Sequence, residues 1–261
     1  MKSIIQILLL LLIVIDPVFS QNDFKVIKVN GTILLKSKGI SLETGTVFSQ
    51  KDDLLFRSED ATAAVINSQR GRMVITSRNH DLTTAGSNSL PSMYNISSRG
   101  VDIVHNTDLS NLFSGKYVIF DRQGIEVDNE TYPMDNNHFF FLRYIYKDEG
   151  INKKLGFSGD TLFIDKSTLF TVDGQPIPSP DNTKIKLFYR NGDESTFISE
   201  FDLVFPDMKQ LAKETQIILD AIKGKSTNEK IGEVGSYIND FYGKVPRECL
   251  VKWLETRFAI K

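Results

Sequence analysis

A lone cysteine, Cys249, stands among 261 residues. Without a second thiol the chain cannot staple itself internally, and Cys-based zinc or iron–sulfur sites are excluded. A charge excess is missing too: 31 Lys+Arg face 33 Asp+Glu, a formal net charge of -2. General nucleic-acid binders concentrate positive charge to displace counterions from phosphate, so this balance argues against that class. Catalytic signatures are also lacking. There is no Gly-x-Ser-x-Gly elbow, no phosphate-binding glycine loop, no dinucleotide fingerprint and no His-Glu-x-x-His pair. What is present is 41% hydrophobic, 25% charged and 10% aromatic residues, which places the chain among globular proteins.

Residues 1–20 have the pattern of a cleavable export signal. Lys2 supplies the positive start, Ile4 to Ile15 form an apolar run interrupted only by Gln6, and Asp16-Pro17 ends it. Val18-Phe19-Ser20 puts small side chains where a signal peptidase reads, so the mature chain is expected to start at Gln21. The run is shorter than the roughly 20 residues a membrane-crossing helix needs, and nothing downstream is long and apolar enough. Cys249 lies far from the expected cut, so lipid attachment to an N-terminal cysteine is not expected.

Residues 21–78 alternate short apolar runs with turn residues and are expected to form an N-terminal β unit. Asn30-Gly31 between Phe24–Val29 and Thr32–Leu35 is a hairpin cue, and Asn67 to Gly71 offers a second. Residues 79–115, poor in apolar side chains apart from Val101 to Val104, fit a linker or long loop. Residues 116–205 resume β patterning with many aromatics. There Asn191-Gly192 marks a hairpin leading to Phe197, Phe201, Leu203 and Phe205, whose even spacing places them on one sheet face. From Pro206 to residue 261 the period becomes helical. Pro206 suits a first helical turn, with Leu211, Thr215, Ile218 and Ile222 as its stripe and Gly224 as its stop. Ser226-x-x-Glu229 is a capping box for a second helix carrying Ile231, Val234, Ile238 and Phe241, and Gly243 closes it. Pro246 opens a third, with Leu250, Trp253 or Leu254, and Phe258 inward. The expected class is α+β: two mainly antiparallel β units followed by a C-terminal section of three short helices.

Within residues 26–75, Val29-x-Gly31, Leu42-x-x-Gly45, Asp53-x-Leu55-x-x-Ser58 and Ala63-x-Val65 follow one another in an order that resembles FecR-type periplasmic β-domains. The likeness covers about a fifth of the chain, rests on turns and strand faces, and departs from the pattern after Arg72. It implies an envelope location beside sensor, scaffold or receptor functions, which suits a binding module, and it brings no catalytic residue.

Candidate chemistry is sparse. His80, His105 and His138 have no metal-ligand neighbour at i+2 or i+4, and Asp102 and His105 fall on opposite faces of an extended segment. Asp128-Asn129-Glu130 and Asp135-Asn136-Asn137 make an oxygen-rich stretch, which a hard cation such as Ca²⁺ would want. It lacks the spacing and glycine of an EF-hand, so a solvated turn is the expectation. Cys249 falls beside the third helix's apolar stripe and is expected to be a small buried hydrophobe. The run His138 to Tyr146 carries aromatics at both parities, which predicts a strand buried on both sides; any rings left exposed would mark a protein or glycan contact surface. Asn30, Asn95 and Asn129 begin Asn-x-Ser/Thr triplets, which matter only in a host that glycosylates.

No catalytic, cofactor-binding or metal-ligating residue is assigned, and no cofactor is expected. The sequence points to an exported, non-enzymatic binding or structural protein of the cell envelope, secreted or periplasmic, with an envelope protein or glycan as partner and no nucleic acid. The competing expectation is a hydrolase of glycans or envelope polymers that uses unidentified carboxylates.

Overall fold

The computed structural model describes residues 23–80, 109–172, 174–178 and 184–260. Val101–Val104, His105, Asn95 and the residues expected to form an export signal lie outside them. The chain divides into two compact units, Met1–Leu90 and Pro91–Lys261. The class is α+β, with mostly antiparallel sheets and a set of C-terminal helices.

The first unit holds β1 (Asp23–Asn30), β2 (Ile33–Leu35), β3 (Ile40–Ser41), β4 (Val47–Ser49), β5 (Leu54–Phe56), β6 (Thr62–Asn67) and β7 (Gly71–Thr76). They form a four-stranded sheet, β4-β1-β6-β7, and a three-stranded one, β3-β2-β5. Phe24, Val26, Phe48, Val65 and Ile75 of the first sheet share a core with Ile33, Leu35 and Leu54 of the second. The expected hairpin at Asn67–Gly71 is present as β6–β7, with Asn67 opposite Gly71. The expected Asn30-Gly31 hairpin is not. β1 pairs with β4 and β6, whereas β2 pairs with β3 and β5, so Gly31 is a corner between two sheets. Its φ of +76° and the Ala61 Cβ, 3.0 Å from where a Gly31 Cβ would sit, explain the glycine without a hairpin.

The second unit contains α1 (Leu109–Leu112), β8 (Gly115–Val118), β9 (Arg122–Glu126), β10 (His138–Tyr146), β11 (Glu149–Lys154), β12 (Gly156–Ser158), β13 (Thr161–Asp165), α2 (Lys166–Leu169), β14 (Thr171–Val172), β15 (Gln175–Pro176), β16 (Lys184–Asn191) and β17 (Glu194–Val204). Helix α1 and the start of β8 thus occupy the end of the stretch expected to be a linker. Within the stretch expected to be β, Lys166–Leu169 instead forms α2, because the Asp165 carboxylate caps that turn by accepting the Ser167 N–H at 2.9 Å. A five-stranded sheet runs β11-β10-β16-β17-β8, antiparallel except for the parallel β17–β8 pair. Its inner face, with Phe140, Leu142, Tyr144, Ile185, Leu187 and Phe201, shares a core with Ile125, Leu162 and Ile164 of the three-stranded sheet β12-β13-β9.

The three helices close the chain as α3 (Met208–Ala221), α4 (Thr227–Phe241) and α5 (Arg247–Phe258). Pro206 precedes α3 instead of opening it; Asp207 is the cap and accepts the N–H groups of Lys209 and Gln210. The Ser226–Glu229 capping box forms in full, and the backbone and hydroxyl hydrogen bonds from Ser226 hold the Glu229 carboxyl down at about 2. Between α3 and α4 the fully buried Glu214 accepts hydrogen bonds from Gln210 Nε2 at 3.0 Å, Tyr237 Oη at 2.8 Å and Tyr242 Oη at 2.5 Å. A buried carboxylate survives inside a protein only with such donors around it.

The helices join the sheet at Lys244. Its N–H donates to the Lys116 carbonyl and its carbonyl accepts the Val118 N–H, both at 2.8 Å, so the α4–α5 connection runs along the β8 edge. Gly243 makes this possible: its φ is +128°, and a Cβ there would sit 2.5 Å from the Lys116 carbonyl oxygen. We predict that Gly243→Ala lowers unfolding free energy by about 3 kcal/mol or more, because strain and backbone collision add. At Gly192, with φ +59° and nothing within 4 Å, valine meets backbone strain alone and costs about 1–2 kcal/mol. Denaturant melts of the two variants check the order, and equal losses would contradict the Lys116 contact.

Candidate functional site

The alternation of β10 sorts the aromatic run into two sets. Phe140, Leu142 and Tyr144 are buried, whereas Phe139, Phe141 and Arg143 face the other way. The expectation that this strand is buried on both sides is therefore corrected: the second layer covers one face only, and Ile145 is 45% exposed on the other. The neighbouring strand repeats the division. In β16 the core takes Ile185, Leu187 and Tyr189, and Lys184, Lys186, Phe188 and Arg190 share the outer parity.

The third contribution comes from β17, where the pairing register shifts between Leu187 and Phe188: Leu187 lies opposite Ser199, but Phe188 lies opposite Phe197. One extra residue on β17, Ile198, makes this a bulge, and a bulge reverses the parity of the residues beyond it. Phe201 and Leu203 share one face, as expected, and it is the core face. Phe197, expected on the same face, is turned outward and is 53% exposed.

These reversals align a row across three strands. Phe141 stands directly opposite Phe188, and Phe188 opposite Phe197. The first pair stacks with ring centroids 5.1 Å apart and planes 8° apart; the second meets edge to face at 5.6 Å. Phe139 joins at 6.4 Å from Phe141, and Lys154 of β11, which lies opposite Phe141, sets its Nζ 4.1 Å from the Phe139 ring centroid. Beside the row the Arg143 guanidinium lies over Gly150 of β11, so near that a Cβ at Gly150 would be 3.1 Å from Nη2. Arg190 donates to Ser195 Oγ at 3.3 Å. Phe139, Phe141, Phe188, Arg143, Lys154 and Arg190 line an open depression of about 670 Å³ together with Asn136, Asn137 and Asn152, and Phe197 extends the row beyond it.

The loop before β10 is built from its carboxylates. Asp128 accepts from the Glu130 N–H and the Thr131 hydroxyl. Asp135 accepts from the N–H groups of Asn137 and His138 and lies 2.9 Å from His138 Nδ1. The hydrogen bond with the His138 ring is the foremost reason the Asp135 carboxyl is held below the usual range. The oxygen-rich stretch is thus a pair of capped turns, and among the described residues no three His, Cys, Asp or Glu side chains gather as a cation site would require. His80 is exposed, with Nδ1 3.0 Å from the Ser77 carbonyl and its ring against Phe56. Cys249 is half-buried, not buried as expected. Desolvation, with the nearby Glu248 charge, pushes its thiol up to about 11, so it stays protonated at neutral pH.

No model of a known protein family matches this chain, and no curated protein matches it. One solved structure aligned with it is the extracellular fragment, with stalk region, of novel immune-type receptor 11 from Ictalurus punctatus. The two are 14% identical, the alignment covers 37% of this chain and 86% of that one, and the TM-score is 0.21. Among the described residues no helix is long and apolar enough to cross a membrane.

The parity reversal at Ile198 separates two phenylalanines that sequence spacing places together. Phe201→Ala should cost about 3–5 kcal/mol, as removal of a buried ring does. Phe197→Ala should cost about 1 kcal/mol, the worth of its edge contact with Phe188. Paired urea titrations decide this; similar losses at both positions would mean that the bulge is absent.

Proposed function

We propose that this chain is an exported, non-enzymatic binding protein of the cell envelope, and that the outer face of the sheet β11-β10-β16-β17-β8 is its contact surface. The observation that carries the reading is the row Phe141–Phe188–Phe197, which lies on the face opposite the core. Monomeric proteins seldom leave contiguous aromatic surface in water, and where they do it marks a binding site. Aromatic side chains and arginine are also the residue types that carry binding energy at contact surfaces. The export pattern of residues 1–20 supports a secreted or periplasmic address. The likeness of residues 26–75 to FecR-type β-domains fits the same setting, and its glycines Gly31 and Gly45 have the positive φ of turn residues.

A polymer-cleaving hydrolase would place two carboxyl groups about 5–10 Å apart across a cleft. The depression beside the aromatic row is lined by one carboxylate, Asp193. That arrangement supports holding a ligand over cutting it.

The test joins address to surface. The protein recovered from the envelope or the medium should begin at Gln21. A photo-crosslinking residue in place of Phe197 should give a discrete adduct in the native envelope, whereas the same group at the exposed Lys213 of α3 should not. Retention of Met1 in the membrane fraction, or identical patterns from both positions, would contradict the proposal.

A further inference from the structure

The rim of the depression defines the chemistry of what it holds. Arg143, Lys154 and Arg190 stand around the phenylalanine floor. Asp193 is the one carboxylate among the lining residues, and it lies 3.7 Å from Arg190 Nη2. Among the described residues, no carboxylate comes within ion-pair distance of Arg143 or Lys154. Three cations therefore face one anion, in a chain whose overall charge is slightly negative. A local surplus of this kind selects an anionic ligand.

Resting on the binding-face reading, the geometry points to a carboxylate-bearing glycan chain as the occupant. Guanidinium groups match carboxylates as planar forks, so Arg143 can take one with two parallel hydrogen bonds, while Arg190, already turned toward Ser195 and Asp193, adds positive charge beside it. The side-chain amides of Asn136, Asn137 and Asn152 each offer donors and an acceptor together, which is what neighbouring sugar hydroxyls require. The phenylalanine floor supplies the apolar contact that the C–H side of a sugar ring needs. A volume of about 670 Å³ suits a few sugar units, and its openness lets a longer chain pass through.

The same details disfavour the other anionic or apolar occupants. A second copy of this chain would set Arg143, Lys154 and Arg190 against their own like charges. A single nucleic-acid strand binds by laying bases on free ring faces. Here Phe141 and Phe188 turn their faces to each other at 5.1 Å, and Lys154 covers one face of Phe139. One face of each of these rings is thus already taken, and the amides and guanidinium groups beside them fit a hydroxylated, acidic chain better than a run of stacked bases.

The test uses the full mature chain with polygalacturonate, alginate and hyaluronate as probes, followed by affinity electrophoresis and calorimetry. Fully methyl-esterified polygalacturonate, dextran and oligo-thymidylate are the comparison polymers. At least one uronate polymer should bind. Esterification and the double variant R143Q/R190Q should each weaken that binding by about tenfold or more, with circular dichroism unchanged. Equal binding of the esterified polymer or of oligo-thymidylate, or full binding by a folded R143Q/R190Q protein, overturns the glycan assignment. Failure of all three uronates overturns it too, and crosslinking from position 197 then tells which idea failed. A discrete protein adduct keeps the contact face and removes the glycan; no adduct removes both.

Discussion

A β-strand cannot hide both of its faces unless two layers cover it, and this constraint governs the C-terminal unit. Its five-stranded sheet has one covering layer, the smaller sheet β12-β13-β9, and that layer takes Phe140, Leu142, Tyr144, Ile185, Leu187 and Phe201. The side chains between them must then point away from the core. Because these strands carry aromatics at both parities, filling the core obliges Phe139, Phe141 and Phe188 to lie on the outer face. The bulge at Ile198 adds Phe197 by local strand geometry alone. An apolar row thus arises on the face away from the core, where Phe141 and Phe188 are half-buried against each other and Phe197 is exposed, and a contact role accounts for it.

The surroundings of the row are consistent with that view. Polar side chains on an outer face ordinarily neutralise each other, as Lys184 and Lys186 do with Glu200 at 3.8 and 3.4 Å. Arg143 and Lys154 do otherwise: one lies over Gly150, the other over Phe139. Their charges stay directed at the depression. Ion pairs exposed to water contribute little to stability, so leaving these cations unneutralised by a carboxylate costs the fold little and makes the face selective.

Much of this was legible in the sequence, to different depths. The α+β class followed from the change of period at Pro206, and the capping box Ser226–Glu229 was readable because both partners lie within one turn. Lys184, Lys186 and Arg190 share parity with Phe188, a signal that this face of β16 meets water. The parallel signal in β10 is one residue, Arg143, and the crowd of rings around it hides it. Two features had no local signature. Gly31 carries the same dipeptide cue in a corner as in a hairpin, since only the partner strands differ. The bulge depends on pairing across β16 and β17, so even spacing placed Phe197 with Phe201 when the register separates them. Glu214 was invisible for a similar reason: its tyrosine partners Tyr237 and Tyr242 sit on or beside another helix, and a lone glutamate within an apolar stripe looks solvent-facing.

The claim on which the account rests is the outward placement of Phe197 against the inward placement of Phe201. Thiol labelling under native conditions measures it directly. In a Cys249→Ser background, Phe197→Cys and Phe201→Cys are each treated with a charged maleimide while the protein remains folded. Labelling of the first at close to the rate of a free thiol, with the second protected until denaturant unfolds the chain, is the predicted result. Protection at both positions, or reaction at Phe201→Cys alone, would contradict the aromatic face and the binding role drawn from it.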